Sequence, residues 1–339
     1  MIWPRISVAM CTCNGARYLR EQLQSIAQQT HAPCELIVCD DASADSSIEI
    51  VQKFALASTL QVRLVRNRSA LGSTKNFEQA IQLCRGDIIV LADQDDLWKP
   101  KKLAAISGGF ARYPAAGYVF SDADMVNQQG ESLGFGLWDT VGFEPRHFSP
   151  SRQVGMLLRR NLVTGAAMAF RASLRDVLLP IPAAWNHDYW IALLGSVFSF
   201  GVPIQERLFL YRRHLDQQIG CGKVTFAQKI QASLAAEPDY CAKTRRIAEL
   251  RERVSAKCGQ INCPPTHLRL LREKELHLAR RALIRSQHGR ARIATLLSEA
   301  LTGRYQRFSL SWGSMMSDLL QRPRSVRSKE DLCLPPANS

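Results

Sequence analysis

Asp93-Gln94-Asp95-Asp96 places three carboxylates within four residues, directly after the apolar run Ile88-Ile89-Val90-Leu91-Ala92. Carboxylates this close repel one another, and a hard divalent cation relieves that repulsion. Along an extended chain Asp93 and Asp95 point the same way, so both can face one ligand. Taken alone, the run could equally be a solvated acidic loop. A second acidic segment, Asp40-Asp41-Ala42-Ser43, also follows an apolar run. A carboxylate there can accept the imide N–H of a uracil or thymine ring. The competing role is helix capping. Ser43 is the expected cap, and Asp40 stands too early in the chain to be one.

The elements that must position these groups alternate. Ile6–Met10, Glu35–Cys39, Val62–Val65 and Asp87–Ala92 are expected strands. Between them, Ala16–Gln29, Asp45–Leu56 and Ser73–Cys84 have helical spacing. Such alternation implies parallel strands with crossover helices, an α/β fold. Cys11–Asn14, Asp40–Ser43 and Asp93–Asp96 all follow strand carboxyl ends, where open α/β sheets bind ligands. Further on, Gly117–Ser121 is an expected strand with Asp122 and Asp124 at its end. Val163–Arg171 and Ile204–Tyr211 are further expected strands, and Asp188–Phe198 an expected helix. After residue 222 helical patterns dominate, over Phe226–Ala235, Tyr240–Lys257, His267–Ser286 and Arg290–Leu301.

The combination resembles family 2 glycosyltransferases. Ser7-Val8-Ala9-Met10-Cys11-Thr12-Cys13-Asn14-Gly15 looks like their opening segment. Val38-Cys39-Asp40-Asp41-Ala42-Ser43, Gly72-Ser73 with Asn76-Phe77, Gly86-Asp87-Ile88 and Asp93-Gln94-Asp95-Asp96-Leu97-Trp98 follow in matching order and spacing. The resemblance covers roughly residues 5–220 and implies a GT-A fold, a mixed and mostly parallel sheet flanked by helices. It implies a nucleotide-sugar site that draws on Thr12, Asn14, Asp40, Asp41, Asn76, Asp93 and Arg212, with Asp40 or Asp41 reading the base. Asp93 and Asp95 then form the DxD element for ribose and metal–diphosphate, with Mg²⁺ or Mn²⁺ as cofactor. Asn186-His187-Asp188-Tyr189-Trp190 resembles the (H/E)-D-x-W element, which makes Asp188 the catalytic base. That reaction needs a carboxylate to take the proton of the attacking acceptor hydroxyl. At a helix start the dipole favours the ionised form, and Asn186 is expected to do the capping instead. Tyr211-Arg212-Arg213-His214 resembles a rhamnosyltransferase-like segment, although Gln217 and Gln218 stand near the usual Asn. Arg212 could neutralise the leaving diphosphate, and His214 could join Asp93 and Asp95 as a metal ligand. The implied enzyme is an inverting, metal-dependent hexosyltransferase for cell-surface polysaccharide synthesis, acting on a saccharide or lipid-linked saccharide.

Composition bounds the rest. The chain has 339 residues, 46% of them hydrophobic, which allows a sizeable core. The expected domains are a catalytic 1–221, a basic helical 222–324 and a disordered tail at 325–339. Ten cysteines without C-x-x-C spacing are expected to be buried apolar residues in a reducing compartment. No signal peptide or membrane span is legible, so a cytoplasmic location is expected. Residues 222–339 carry 22 Lys and Arg against 10 Asp and Glu, most of the net charge of +14. That excess suits peripheral contact with an anionic membrane, a helical module for dimerisation or acceptor binding, or a solvated basic face. A nucleic-acid-binding protein should show interleaved aromatics or a known module, which this region lacks. A nucleotide-binding dehydrogenase would need G-x-G-x-x-G after the first strand, where Cys-Thr-Cys-Asn-Gly stands. A non-catalytic member of the fold would not be expected to keep Asp93, Asp95 and Asp188.

Overall fold

The computed structural model describes residues 4–214, 238–259, 264–309 and 312–321. The expected helix at Phe226–Ala235, Gln217 and Gln218, and the 325–339 tail lie outside them. The chain divides into two compact units, residues 1–153 with 162–223, and residues 154–161 with 224–339.

The first unit is built on a nine-stranded sheet. Its strands are β1 (Ile6–Thr12), β2 (Glu35–Asp40), β3 (Val62–Arg66), β4 (Ile88–Ala92), β5 (Leu97–Trp98), β6 (Tyr118–Val126), β7 (Ser132–Gly136), β8 (Met168–Arg171) and β9 (Gly201–Arg212). The order is β3-β2-β1-β4-β8-β6-β9-β5, with β7 beside β6. Strands β3, β2, β1 and β4 are parallel, while β8 runs antiparallel to both β4 and β6. Nearly every residue of β1, β2 and β4 is buried, as a parallel sheet covered on both faces requires. The helices of this unit are α1 (Ala16–Ala27), α2 (Ser47–Ala57), α3 (Ser73–Leu83) and α4 (Lys102–Arg112), then α5 (Leu137–Val141), α7 (Arg175–Leu178) and α8 (His187–Phe198), while α6 (Gln153–Arg159) falls almost wholly in the second unit. Helix α1 buries Leu19, Leu23 and Ile26 at helical spacing against this core.

Register decides what reaches the site. Thr12 pairs with Asp40, and Met10 with Ala92. The carboxyl ends of β2, β1 and β4 therefore align, and the segments that follow them emerge side by side. Strand β9 lies between β6 and the two-residue β5, which brings Arg212 and His214 back toward Asp95.

Four expectations change. Asp122 and Asp124 lie inside β6, which runs on to Val126. They pair there with Arg207 and Lys99. The expected strand at Val163–Arg171 is a 3₁₀ turn, Gly165–Ala167, followed by four residues of β8. Helix α2 starts at Ser47 without a side-chain cap, so Ser43 does not cap it. Cys13 and Cys34 are exposed, whereas Cys39 and Cys84 are buried.

In the second unit, α9 (Tyr240–Cys258), α10 (Pro265–Ser286), α11 (Gly289–Leu301), α12 (Arg304–Phe308) and α13 (Trp312–Leu320) enclose a buried polar network. Asp318 accepts from Arg281 Nε at 2.6 Å and from Tyr305 Oη at 2.7 Å. His277 sits between Glu299 Oε1 at 2.7 Å and Ser309 Oγ at 2.8 Å. Lys274 Nζ donates to the Phe308 carbonyl at 2.8 Å. Burial, with Arg281, Lys243 and Arg159 nearby, pushes Lys274 down to about 7. In an unfolded chain a lysine titrates near about 10.4. Between those values the unfolded chain binds the extra proton, so stability rises with pH. We expect the thermal midpoint to climb by a few degrees from about pH 7 to about pH 9, and Lys274→Met to flatten that slope. A wild-type slope equal to that of Lys274→Met would contradict this.

Candidate active site

The loop after β1 is fastened to the loop after β2. Thr12 Oγ1 donates to Asp40 Oδ2 at 2.8 Å. Asn14 has a positive φ of 50°, a conformation that Asn tolerates better than most residues. Its N–H donates to Ser43 Oγ at 2.8 Å, and its Oδ1 accepts from Ala44 N at 2.9 Å. Asp40 is fully buried, and it also accepts from Ser43 N and Ser43 Oγ at 2.9 and 2.6 Å. Asp41 accepts from Asn67 Nδ2, Leu71 N and Gly72 N at 2.7–2.9 Å. Asn76 is buried below, receiving Asn67 Nδ2 and donating to the Cys39 carbonyl at 2.8 Å. The structure thus brings Thr12, Asn14, Asp40, Asp41 and Asn76 together, each bonded to protein partners.

The acidic run is tied to the same wall. Gln94 pairs with both backbone groups of Cys13, accepting at 2.8 Å and donating at 3.0 Å. A Cβ on Gly15 would lie 2.1 Å from Gln94 Oε1, so only glycine fits there without moving that side chain. Asp95 Oδ2 meets His214 Nε2 at 2.7 Å. Arg212 donates to the Asp95 carbonyl at 3.1 Å, to the Gln128 carbonyl at 2.9 Å and to Glu21 Oε2 at 2.8 Å. The Tyr18 ring packs against both, 4.6 Å from the Arg212 guanidinium and 5.1 Å from the His214 ring.

Asp188 opens α8, half-buried, and Asn186 gives that helix no side-chain cap. Asp188 Oδ1 instead accepts from its neighbour Tyr189 N at 2.6 Å, and Oδ2 from Gly165 N at 3.2 Å. The turn that supplies Gly165 therefore orients this carboxylate. His187 beside it stacks on Phe77, with ring centroids 4.0 Å apart.

Electrostatics joins the two halves. Burial pushes Asp93 up to about 7, and the charges of Asp95 and Asp188 push in the same direction. Asp93 thus stands within electrostatic reach of both the acidic run and the carboxylate of α8. Asp96 is buried with Oδ2 unpartnered, and burial raises its pKa well above the usual carboxylate range. The cation behind this cluster is Lys102, fully buried in α4. Its Nζ lies 4.1 Å from the Trp98 ring centre and 4.0 Å from that of Phe209, and donates to the Ala166 carbonyl at 2.7 Å. Burial pulls Lys102 down to about 7, while Asp96 and Asp93 oppose the fall.

Sequence reasoning missed Lys102 and Glu21, and gave Tyr18, part of a helix that resembles the family's, no role in the site. A lysine in a helix reads as a surface residue. The one available signal was the uncompensated charge of the acidic run, which calls for a cation without saying which.

Comparison with known proteins agrees with this architecture. The structure of S. aureus TarS, residues 1–349, superposes with a TM-score of 0.54 at 14% identity, covering 90% of this chain and 81% of that one. The fold is GT-A, with a basic helical C-terminal region. An uncharacterized glycosyltransferase of Nostoc sp., alr2836, is 23% identical over 244 residues, 69% of this chain and 72% of its own. Mycobacterium bovis Mb1547 is 26% identical over 216 residues, 62% of this chain and 59% of its own, so this chain spans less than two thirds of that relative. The sequence profile of glycosyl transferase family 2 matches residues 7–178, just over half of the chain, and the chain belongs to that family.

Proposed function

We propose that the chain transfers a hexosyl group from a nucleoside-diphosphate sugar to a saccharide or lipid-linked saccharide, as cell-surface polysaccharide synthesis requires. The reading rests on Asp93, a buried carboxyl on which the charges of both Asp95 and Asp188 act. A donor held at Asp93 and Asp95 would lie beside a carboxylate able to activate an acceptor. The TarS structure solved with UDP-GlcNAc supports the class of donor. Reading of the base by Asp40 or Asp41 would require those carboxylates to exchange partners they now hold.

The acidic run fits a divalent cation, Mg²⁺ or Mn²⁺. Burial and mutual repulsion destabilise its charges, and a hard cation would reverse that. Among the described residues no three acidic, His or Cys side chains converge as a ready ligand set. Asp93 and Asp95 would therefore hold the ion together with diphosphate oxygens, as Mg²⁺ sites commonly do. His214 already bonds Asp95, so it orients that carboxylate or replaces the bond by ligation. When bound, the cation supplies charge stabilisation to the departing diphosphate. Arg212 is held by Glu21 and by backbone carbonyls beside this site, and adds a fixed positive charge. Asp188 takes the acceptor proton, and a single displacement inverts the anomeric centre.

Calorimetry with nucleoside diphosphates and Mn²⁺ tests the donor half. Asp95→Ala should weaken the metal-dependent binding by about tenfold or more, since one of two charged ligands is lost. An unchanged metal-dependent signal would refute the assignment. The rhamnosyltransferase-like segment makes dTDP-rhamnose the first donor to try.

A further inference from the structure

We propose that the outer faces of α11 and α13 dock on an anionic lipid bilayer. Among the described residues eleven large apolar side chains stand exposed, and seven of them lie on these two helices. Ile293, Leu297 and Leu301 follow one another at four-residue spacing, so they form one stripe along α11. On α13, Trp312, Met316, Leu319 and Leu320 are exposed, while Ser314, Ser317 and Asp318 turn inward. The helices are neighbours. Arg292 of α11 donates to the carbonyls of Asp318 and Gln321 at the end of α13. Trp312 is 67% exposed, and an indole that is apolar along its body and polar at one edge suits a membrane interface.

Charge selects the partner. The acidic residues of α11, α12 and α13 are Glu299 and Asp318, both buried and both paired with cations. Arg290 stands exposed at the start of α11, and residues 222–339 carry 22 Lys and Arg against 10 Asp and Glu. In the sequence after α13, residues 322–331 carry Arg322, Arg324, Arg327 and Lys329 against Glu330 and Asp331. An apolar helix face on a region of this net positive charge matches an interfacial helix on anionic lipid. Against a second copy, a two-fold interface would set the same cations opposite one another. No helix among the described residues is long and apolar enough to cross a membrane.

The test uses the full chain in vesicle sedimentation, with phosphatidylcholine alone and with about 30% phosphatidylglycerol added. Wild type is expected to bind the anionic vesicles and to leave them as salt rises. The double variant Leu297→Glu/Leu301→Glu should lose about tenfold or more of that partition. Leu56→Glu, the same change at an exposed site of the other unit, should leave it unaltered and controls for added charge. Circular dichroism confirms that the variants are folded. Equal binding by wild type and the double variant would overturn the proposal. So would a dimer in light scattering that the double variant dissociates while vesicle binding stays unchanged. The assay contains no sugar donor, so its failure leaves the glycosyl-transfer reading standing.

Discussion

Asp188→Asn is expected to lower turnover by about a hundred- to ten-thousand-fold, the usual worth of a positioned general base, while nucleotide affinity stays close to wild type. In barrier height that is about 3–5 kcal/mol. Gly165 N and Tyr189 N meet different oxygens of Asp188, so asparagine keeps the size of the side chain and one of these two bonds. The start of α8 should hold its shape on the remaining bond and the burial of Trp190 and Ile191. What disappears is the charge that can receive a proton. The donor-side groups, Asp93, Asp95 and Arg212, are untouched, so binding and chemistry should separate in this variant. A KM for donor that rises as steeply as kcat falls would place Asp188 in the binding site instead.

Lys102→Met should be the most damaging single change to the fold of the first unit. The lysine is fully buried, and its ammonium group bonds Ala166 O between two aromatic faces. Methionine fills much of the volume but supplies neither donor nor charge. Asp96, already short of a partner at Oδ2, would lose a positive charge that favours its ionised form. Leaving the buried Ala166 carbonyl without its donor costs about 1–3 kcal/mol, or about 5 °C in midpoint for a domain of this size. Ala166 belongs to the same short turn as Gly165, so the damage should extend to the orientation of Asp188. A midpoint within about two degrees of wild type, inside the usual scatter of surface substitutions, would show that the buried Lys102 ammonium does not hold this unit together.

The parts of this architecture that continuous apolar runs encode were legible in the sequence. Ile88-Ile89-Val90-Leu91-Ala92 could only be a covered strand, and the polar residues after it had to emerge at its carboxyl end. The same logic placed Asp40-Asp41 and Thr12-Cys13-Asn14. Long-range pairing was not legible. Nothing local to Leu97-Trp98 marks a strand, because those residues are ordered by β9. Asp122 and Asp124 were misplaced because a strand interior rarely holds two aspartates, and here Arg207 and Lys99 neutralise them. Lys102 was invisible because its partners come from other elements, with Asp96 preceding β5, Phe209 in β9 and Ala166 in the turn before β8. Capping failed at Ser43 and Asn186 for one reason. At each helix start a nearer carboxylate takes the backbone N–H instead, Asp45 accepting from Ser47 N at α2 and Asp188 from Tyr189 N at α8.

The most direct test is release of nucleoside diphosphate from a panel of nucleotide sugars, measured with Mn²⁺ and with chelator, for wild type and Asp188→Asn in parallel with nucleotide binding. Wild type should release diphosphate from at least one donor only when metal is present. Asp188→Asn should bind the same nucleotide and release diphosphate at least about a hundredfold more slowly. Equal release by the two proteins, or no metal-dependent nucleotide binding by either, would contradict a site built from Asp93, Asp95 and Asp188.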